Sequence, residues 1–263
     1  MEVREAIGRR RSIRFLLPHK PVELGKIQRM LEAARIASHW GNVSTLRAIV
    51  IQRDKADKEV LAALPSPVAG YQIGLAPVII VWYLEAAACD QVGERLLELV
   101  DAGAIGYGPK RREEVEGTLV PLMQAATEVL KQPGMSEVDC GQGIAQATLM
   151  AVEMGLGTCC LGTGDPDRVR RKLGLPESCR VLIIQTVGYP AESPEAGGQR
   201  PRLPFDQLFH LNGYGKPFPR DPDVVAELKK DQLLQREAPL PWRDAELEYL
   251  QRALNLKGQG LLE

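Results

Sequence analysis

Apolar and polar positions follow two rhythms along this chain, and the rhythms predict its elements. Val3, Ala6 and Ile7 stand at helical spacing within residues 2–11. Leu24, Ile27, Met30, Leu31 and Ala34 repeat the i, i+3, i+4, i+7 pattern of an amphipathic helix whose end is marked by Trp40-Gly41-Asn42. Ala48-Ile49-Val50-Ile51 reads as a short buried strand ahead of the charged stretch 52–58, and a helix over 55–64 stops at Pro65 and Pro67. The apolar run 76–83 is the strongest strand signal in the chain. Its unbroken hydrophobicity predicts a central strand covered on both faces.

Residues 90–102 and 111–131 read as two helices separated by 103–109, and the segment 89–137 that holds them is where a substrate lid would lie. Ile144, Ala147, Thr148, Ala151 and Met154 share one side of a helix over 139–156, with side chains small enough to pack closely in the middle of the fold. Gly155 and Gly157 end it. Asp165-Pro166 opens a short helix at 168–173, and 181–187 is a further buried strand closed by Gly188-Tyr189-Pro190. Residues 191–198 read as a flexible connector, prolines between 204 and 222 limit regular structure, and helices over 224–234 and 244–254 follow. The pattern divides the chain into a main body, 1–215, and a C-terminal helical extension, 216–263.

With 263 residues, 44% of them hydrophobic and 25% charged, the chain can bury a sizeable core. A net charge of -1 excludes the broad basic face of a nucleic-acid binder. The start carries no apolar signal-peptide core, and no apolar stretch reaches the roughly 18 residues that suggest a membrane span. A cytoplasmic location is therefore expected. Cys89, Cys140, Cys159, Cys160 and Cys179 form no C-x-x-C pair, and the three histidines are far apart in sequence, so no metal is expected and reduced, buried thiols are.

Positive charge is concentrated locally. Arg9-Arg10-Arg11-Ser12-Ile13-Arg14 lies near the start and Arg200-Pro201-Arg202 near residue 200. Brought together by folding, these guanidinium groups and the Ser12 hydroxyl would form a socket for a phosphate, because arginine presents planar forks of donors and keeps its charge near neutral pH.

Four blocks resemble the FMN-dependent nitroreductase family over most of residues 2–215: Arg10-Arg11-Ser12-Ile13-Arg14-Phe15; Ala33-Ala34-Arg35-Ile36-Ala37-Ser38-His39-Trp40-Gly41-Asn42; Gly155-Leu156-Gly157-Thr158-Cys159-Cys160-Leu161-Gly162; and Val187-Gly188-Tyr189-Pro190 followed by Arg200-Pro201-Arg202. The resemblance implies an α+β sandwich, a mostly antiparallel central sheet flanked by helices, in a domain-swapped homodimer with FMN at the subunit interface. It implies that Arg10, Ser12 and Arg14 bind the FMN phosphate and ribityl chain, with Arg11 in the same turn and Arg200 and Arg202 closing from the other side. It sets Cys160, Leu161, Gly162 and Thr163 against one edge of the flavin, with the Gly162 N–H aimed at the ring nitrogen that accepts hydride. A glycine there lets backbone approach a flat ring, although Gly162 and Gly164 also suit a plain turn before Asp165-Pro166.

Asn42 matches the family asparagine that reaches FMN from the other subunit, while Ser38-His39 and Ser44-Thr45-Leu46 depart from the family's Pro-Ser and Gln-Pro-Trp. His39 is read either as a proton donor to a reduced substrate or as a half-exposed residue at a helix end. Trp40 is read as packing. The implied activity is reduction of FMN by NADH or NADPH, followed by electron transfer to a nitroaromatic, a quinone or a similar small electron-poor acceptor in a ping-pong sequence. A specialised flavoenzyme of the same fold (dehalogenase, dehydrogenase or flavin-fragmenting enzyme) and a non-catalytic flavin binder remain alternatives. The C-terminal extension is expected to wrap the second subunit.

Overall fold

Four strands form one sheet in the computed structural model, which describes residues 1–66, 68 and 70–257. They are β1 (Leu46–Gln52), β2 (Val78–Glu85), β3 (Gly157–Leu161) and β4 (Cys179–Gly188), in the spatial order β1-β2-β4-β3 with every pairing antiparallel. The apolar run that predicted a central strand is β2, between β1 and β4, and its side chains divide between two layers. Ile79 and Val81 pack with Leu64, Ile73 and Val169 on one face. Val78, Ile80 and Trp82 pack with Ile27, Met30, Ala147 and Ala151 on the other. Residues 78–82 are all at most 2% exposed. At roughly 1.5–3 kcal/mol for each large apolar side chain fully buried, this strand anchors both layers.

The helices Leu24–Arg35 and Met135–Glu153 pack side by side on the second face. A Cβ at Gly143 would fall 2.5 Å from Leu46 Cδ2 and 3.1 Å from Ala34 O, so the small-residue side of this helix is what permits their close approach. The helix begins at Met135, four residues before its expected start, because the Glu137 carboxylate reaches back to accept the Gly134 N–H at 2.7 Å. The helix expected over 111–131 is instead broken into Arg111–Glu114, a wide turn Val115–Leu119, Val120–Ala125 and Thr127–Leu130. Gly117 and Pro121 lie in that stretch, and proline has no N–H to continue a helical ladder. Together with Val92–Asp101 these pieces make a small core of their own around Val92, Leu96, Val115 and Val120.

Two further expectations are corrected. Residues 191–198 are no flexible connector: Glu192 is 4% exposed and Ala196 fully buried. The amphipathic helix ends at Arg35 rather than at Trp40, and Trp40–Asn42 is a separate short turn. That turn is held by the Trp40 N–H on Asp139 Oδ2 at 2.8 Å and by the indole N–H on Ser136 Oγ at 3.2 Å. Pro67, expected to help close the helix seen at Lys58–Ala63, lies outside the described residues, as do residues 258–263 of the extension.

The extension first runs over an exposed stretch. It then returns to the body of its own chain, where Leu250 packs with Phe15 and Leu75 and is 2% exposed. Among the described residues no helix is long and apolar enough to cross a membrane.

Candidate functional site

The helix Val3–Arg9 stops where the arginine run begins, and the chain becomes extended. Ser12 bridges to Thr158 of β3, and the Ile13 N–H donates to Thr158 O at 2.9 Å. Gly157 makes this contact possible, since a Cβ there would sit 2.7 Å from Ile13 Cγ2. Ile13 is buried on the core side. The next two backbone N–H groups, of Arg14 and Phe15, both donate to Glu192 Oε1, at 2.5 and 3.0 Å. One buried carboxylate thereby fixes the extended segment that carries Arg14.

Arg10, Ser12, Arg14, Arg200 and Arg202 all border one cleft of about 680 Å³, so folding does bring the two arginine segments together. Arg220 joins them, with its guanidinium 5.5 Å from the centre of the Phe205 ring. The local electrostatics are strongly positive. Among the described residues no carboxylate forms an ion pair with the guanidinium of Arg10, Arg14, Arg200 or Arg202, and the side chains of Arg14, Arg200 and Arg202 donate to backbone carbonyls. The Arg200 guanidinium is held below its ordinary value by burial and then by the fields of Arg14 and Arg243, against the smaller opposing influence of Glu192. An incoming dianion would relieve this crowding of like charge.

Arg11 behaves differently from its neighbours. It borders the same cleft but is only 6% exposed, and its guanidinium donates to Gly8 O at 2.6 Å, Arg10 O at 2.9 Å and Gln235 Oε1 at 2.7 Å. Most of its donor capacity is spent inside the chain.

β3 leads from the arginine cleft to the glycine segment. Gly162 lies four residues beyond Thr158, roughly 13 Å along an extended chain at about 3.3 Å per residue. Cys160 is exposed, Leu161 packs against the sheet core, and a Cβ on Gly162 would meet nothing within 4 Å. The Thr163 hydroxyl accepts the Asp165 N–H at 3.3 Å. Within the described chain a methyl group would fit at 162. The arrangement is a cluster of arginines joined by one strand to an open backbone edge.

His39 and Asn42 do not join the arginine cleft within one chain. His39 lines a separate cleft of about 300 Å³ with Leu31, Arg35, Arg47 and Trp82. It is half-buried, its Nδ1 is buried without a hydrogen-bond partner, and burial pushes it below its ordinary value, opposed by Asp139 and assisted by Arg47. Asn42 occupies the left-handed region, at φ 57, in the Trp40–Asn42 turn, while Trp40 packs with the Val92 core as expected. Of the cysteines, four are buried and Cys160 is exposed.

Glu192, Gln199, Arg220, Gln235 and Arg243 were missed as contributors to the site. Glu192 touches Arg14 across 178 residues of sequence, and no local pattern announces such a contact.

The chain is similar in sequence and in fold to known proteins. The sequence model of the nitroreductase family matches residues 7–189, a stretch that ends before Arg200 and the extension. An NADH dehydrogenase of Thermus thermophilus is 31% identical over 212 residues, covering 79% of this chain and 95% of that protein. An NADPH-dependent oxidoreductase of Staphylococcus aureus (strain MRSA252) is 30% identical over 198 residues, 74% of this chain and 68% of that one. In three dimensions the chain is similar to a protein from Exiguobacterium sibiricum assigned as a nitroreductase and crystallised in complex with FMN. That likeness has a TM-score of 0.64 at 23% identity and covers 81% of this chain and 98% of the other.

Proposed function

The chain belongs to the nitroreductase family, and on that premise we propose that it is a homodimeric FMN-dependent oxidoreductase that takes electrons from NADH or NADPH and delivers them to a small electron-poor acceptor such as a nitroaromatic or a quinone. Arg10, Ser12, Arg14, Arg200 and Arg202 hold the FMN phosphate and ribityl chain. Cys160, Leu161, Gly162 and Thr163 lie along the ring. Asn42 and His39 approach from the second subunit. Bound FMN supplies the hydride and electron-transfer chemistry. The chain's own part is to bind, orient and exclude water. Guanidinium groups grip the dianion through charge-assisted hydrogen bonds. The Gly162 N–H offers a donor that no change of pH removes, aimed where negative charge develops. Reductant and acceptor use the same open face in turn, which gives a ping-pong sequence.

The observation that carries this reading is the cluster of arginines without carboxylate partners, joined through Thr158 to the open edge at Gly162. Its test is a visible spectrum of the purified protein, repeated after NADH and after NADPH without oxygen. Flavin absorbance that bleaches with either nicotinamide is the expected result. A colourless protein that takes up no FMN overturns the reading.

A further inference from the structure

Residues 232–238 of the extension touch both arginine segments. On the first, the Arg11 guanidinium bonds Gln235 Oε1 while also holding Gly8 O and Arg10 O, so it ties the extension to the turn that carries Arg10. Gly8 packs against the same stretch so closely that a Cβ would fall 2.7 Å from Leu233 Cα. On the second, Gln199 gives every hydrogen-bonding group it has to the extension. Its side-chain amide donates to Leu233 O at 3.0 Å and accepts the Gln235 N–H at 2.9 Å. Its backbone N–H donates to Arg236 O at 2.8 Å, and its carbonyl accepts the Ala238 N–H at 2.9 Å. Arg200 is the next residue.

Arginines held together without carboxylate partners repel one another, and something other than charge must keep them in register before an anion arrives. We infer that the segment 232–238 is that brace: it fixes the spacing between the turn bearing Arg10 and Arg14 and the irregular segment bearing Arg200 and Arg202, so that the socket is preformed for the cofactor phosphate, with Gln199, Gln235 and Arg11 as positioning residues. This rests on the FMN reading above. Arg11 serves as a strut rather than a ligand. A preformed socket binds more tightly because less order has to be imposed when the ligand enters.

The brace acts on the phosphate and not on the ring, so riboflavin, which lacks the phosphate, is the internal control. The full-length apoprotein and its Q199A, Q235A and Q199A/Q235A variants are titrated with FMN and with riboflavin, following flavin fluorescence, with thermal unfolding recorded without flavin. G8A, which displaces the extension from the other side, is the second route should the double variant not fold. The expected result is parent protein that prefers FMN over riboflavin. The double variant or G8A then loses about tenfold in FMN affinity while riboflavin affinity stays within about twofold. FMN and riboflavin weakened alike, or FMN affinity unchanged, overturns the brace. A parent protein with no preference for FMN over riboflavin overturns the phosphate socket itself, and the brace with it.

Discussion

Arg243 Nη2 lies 2.8 Å from Glu192 Oε2, in an ion pair whose side chains are 11% and 0% exposed. Glu192 uses its other oxygen on the backbone of Arg14 and Phe15, and Arg243 also pairs with Glu246 at 2.8 Å. The pair thus joins the helix Arg243–Ala253 to the extended segment that presents Arg14. Arg243→Ala leaves a buried carboxylate without its cation and is expected to destabilise the fold by about 3–5 kcal/mol. Glu192→Gln keeps an acceptor for the two N–H groups and should cost less. Chemical denaturation of both variants checks this, and equal losses would contradict it.

The socket predicts a steep dependence on its arginines. Each charge-assisted hydrogen bond to phosphate is worth roughly 1.5–3 kcal/mol, so Arg10→Ala combined with Arg202→Ala should weaken FMN more than about a hundredfold. Desalting followed by a visible spectrum is the measurement. Yellow colour retained by the double variant would remove the socket from the account.

His39 carries a pH signature. Burial holds it below its ordinary value of 6.5, so the unfolded chain takes up a proton that the folded chain resists. The unfolded state then binds more protons, and stability falls as pH drops below about 6.5. His39→Gln removes this contribution, so its stability relative to the parent should rise between about pH 8 and about pH 5.5. Unfolding curves at several pH values test it, and two profiles that run parallel would show that His39 is not the titrating group.

Gly162 separates fold from function. An alanine methyl there has open space, so Gly162→Ala should change stability by less than about 0.5 kcal/mol. If backbone at 162 faces the flavin ring, the same methyl obstructs its approach and slows reduction by NADH or NADPH in anaerobic stopped-flow. Unchanged stability with unchanged reduction would place the ring elsewhere.

The readable parts of this chain are those in which neighbouring residues carry the information. β2 was legible because its apolar residues are consecutive, and the helix Leu24–Arg35 because its own side chains repeat with the helical period. β3 was not read as a strand. Its five residues, Gly157-Thr158-Cys159-Cys160-Leu161, sit among glycines that resemble a turn, and their strand geometry comes from pairing with β4. The arginines were visible as candidates, but not the difference between Arg14, whose guanidinium meets, among the described residues, only the Ser12 carbonyl, and Arg11, whose guanidinium donates to Gly8, Arg10 and Gln235.

The sequence by itself determined which side of each element is apolar and that guanidinium groups are supplied at two distant places. Those properties depend on side chains within a few residues of one another, and hydrophobic burial then imposes the layers. Only the tertiary structure decided which polar groups meet: Glu192 with Arg243, Gln199 with the returning extension, Arg11 with Gln235. Such bonds are short-ranged and directional, and they form between residues whose separation along the chain carries no trace of the contact. A glutamate or an arginine that ends in a buried pair looks, in sequence, like any solvated charge.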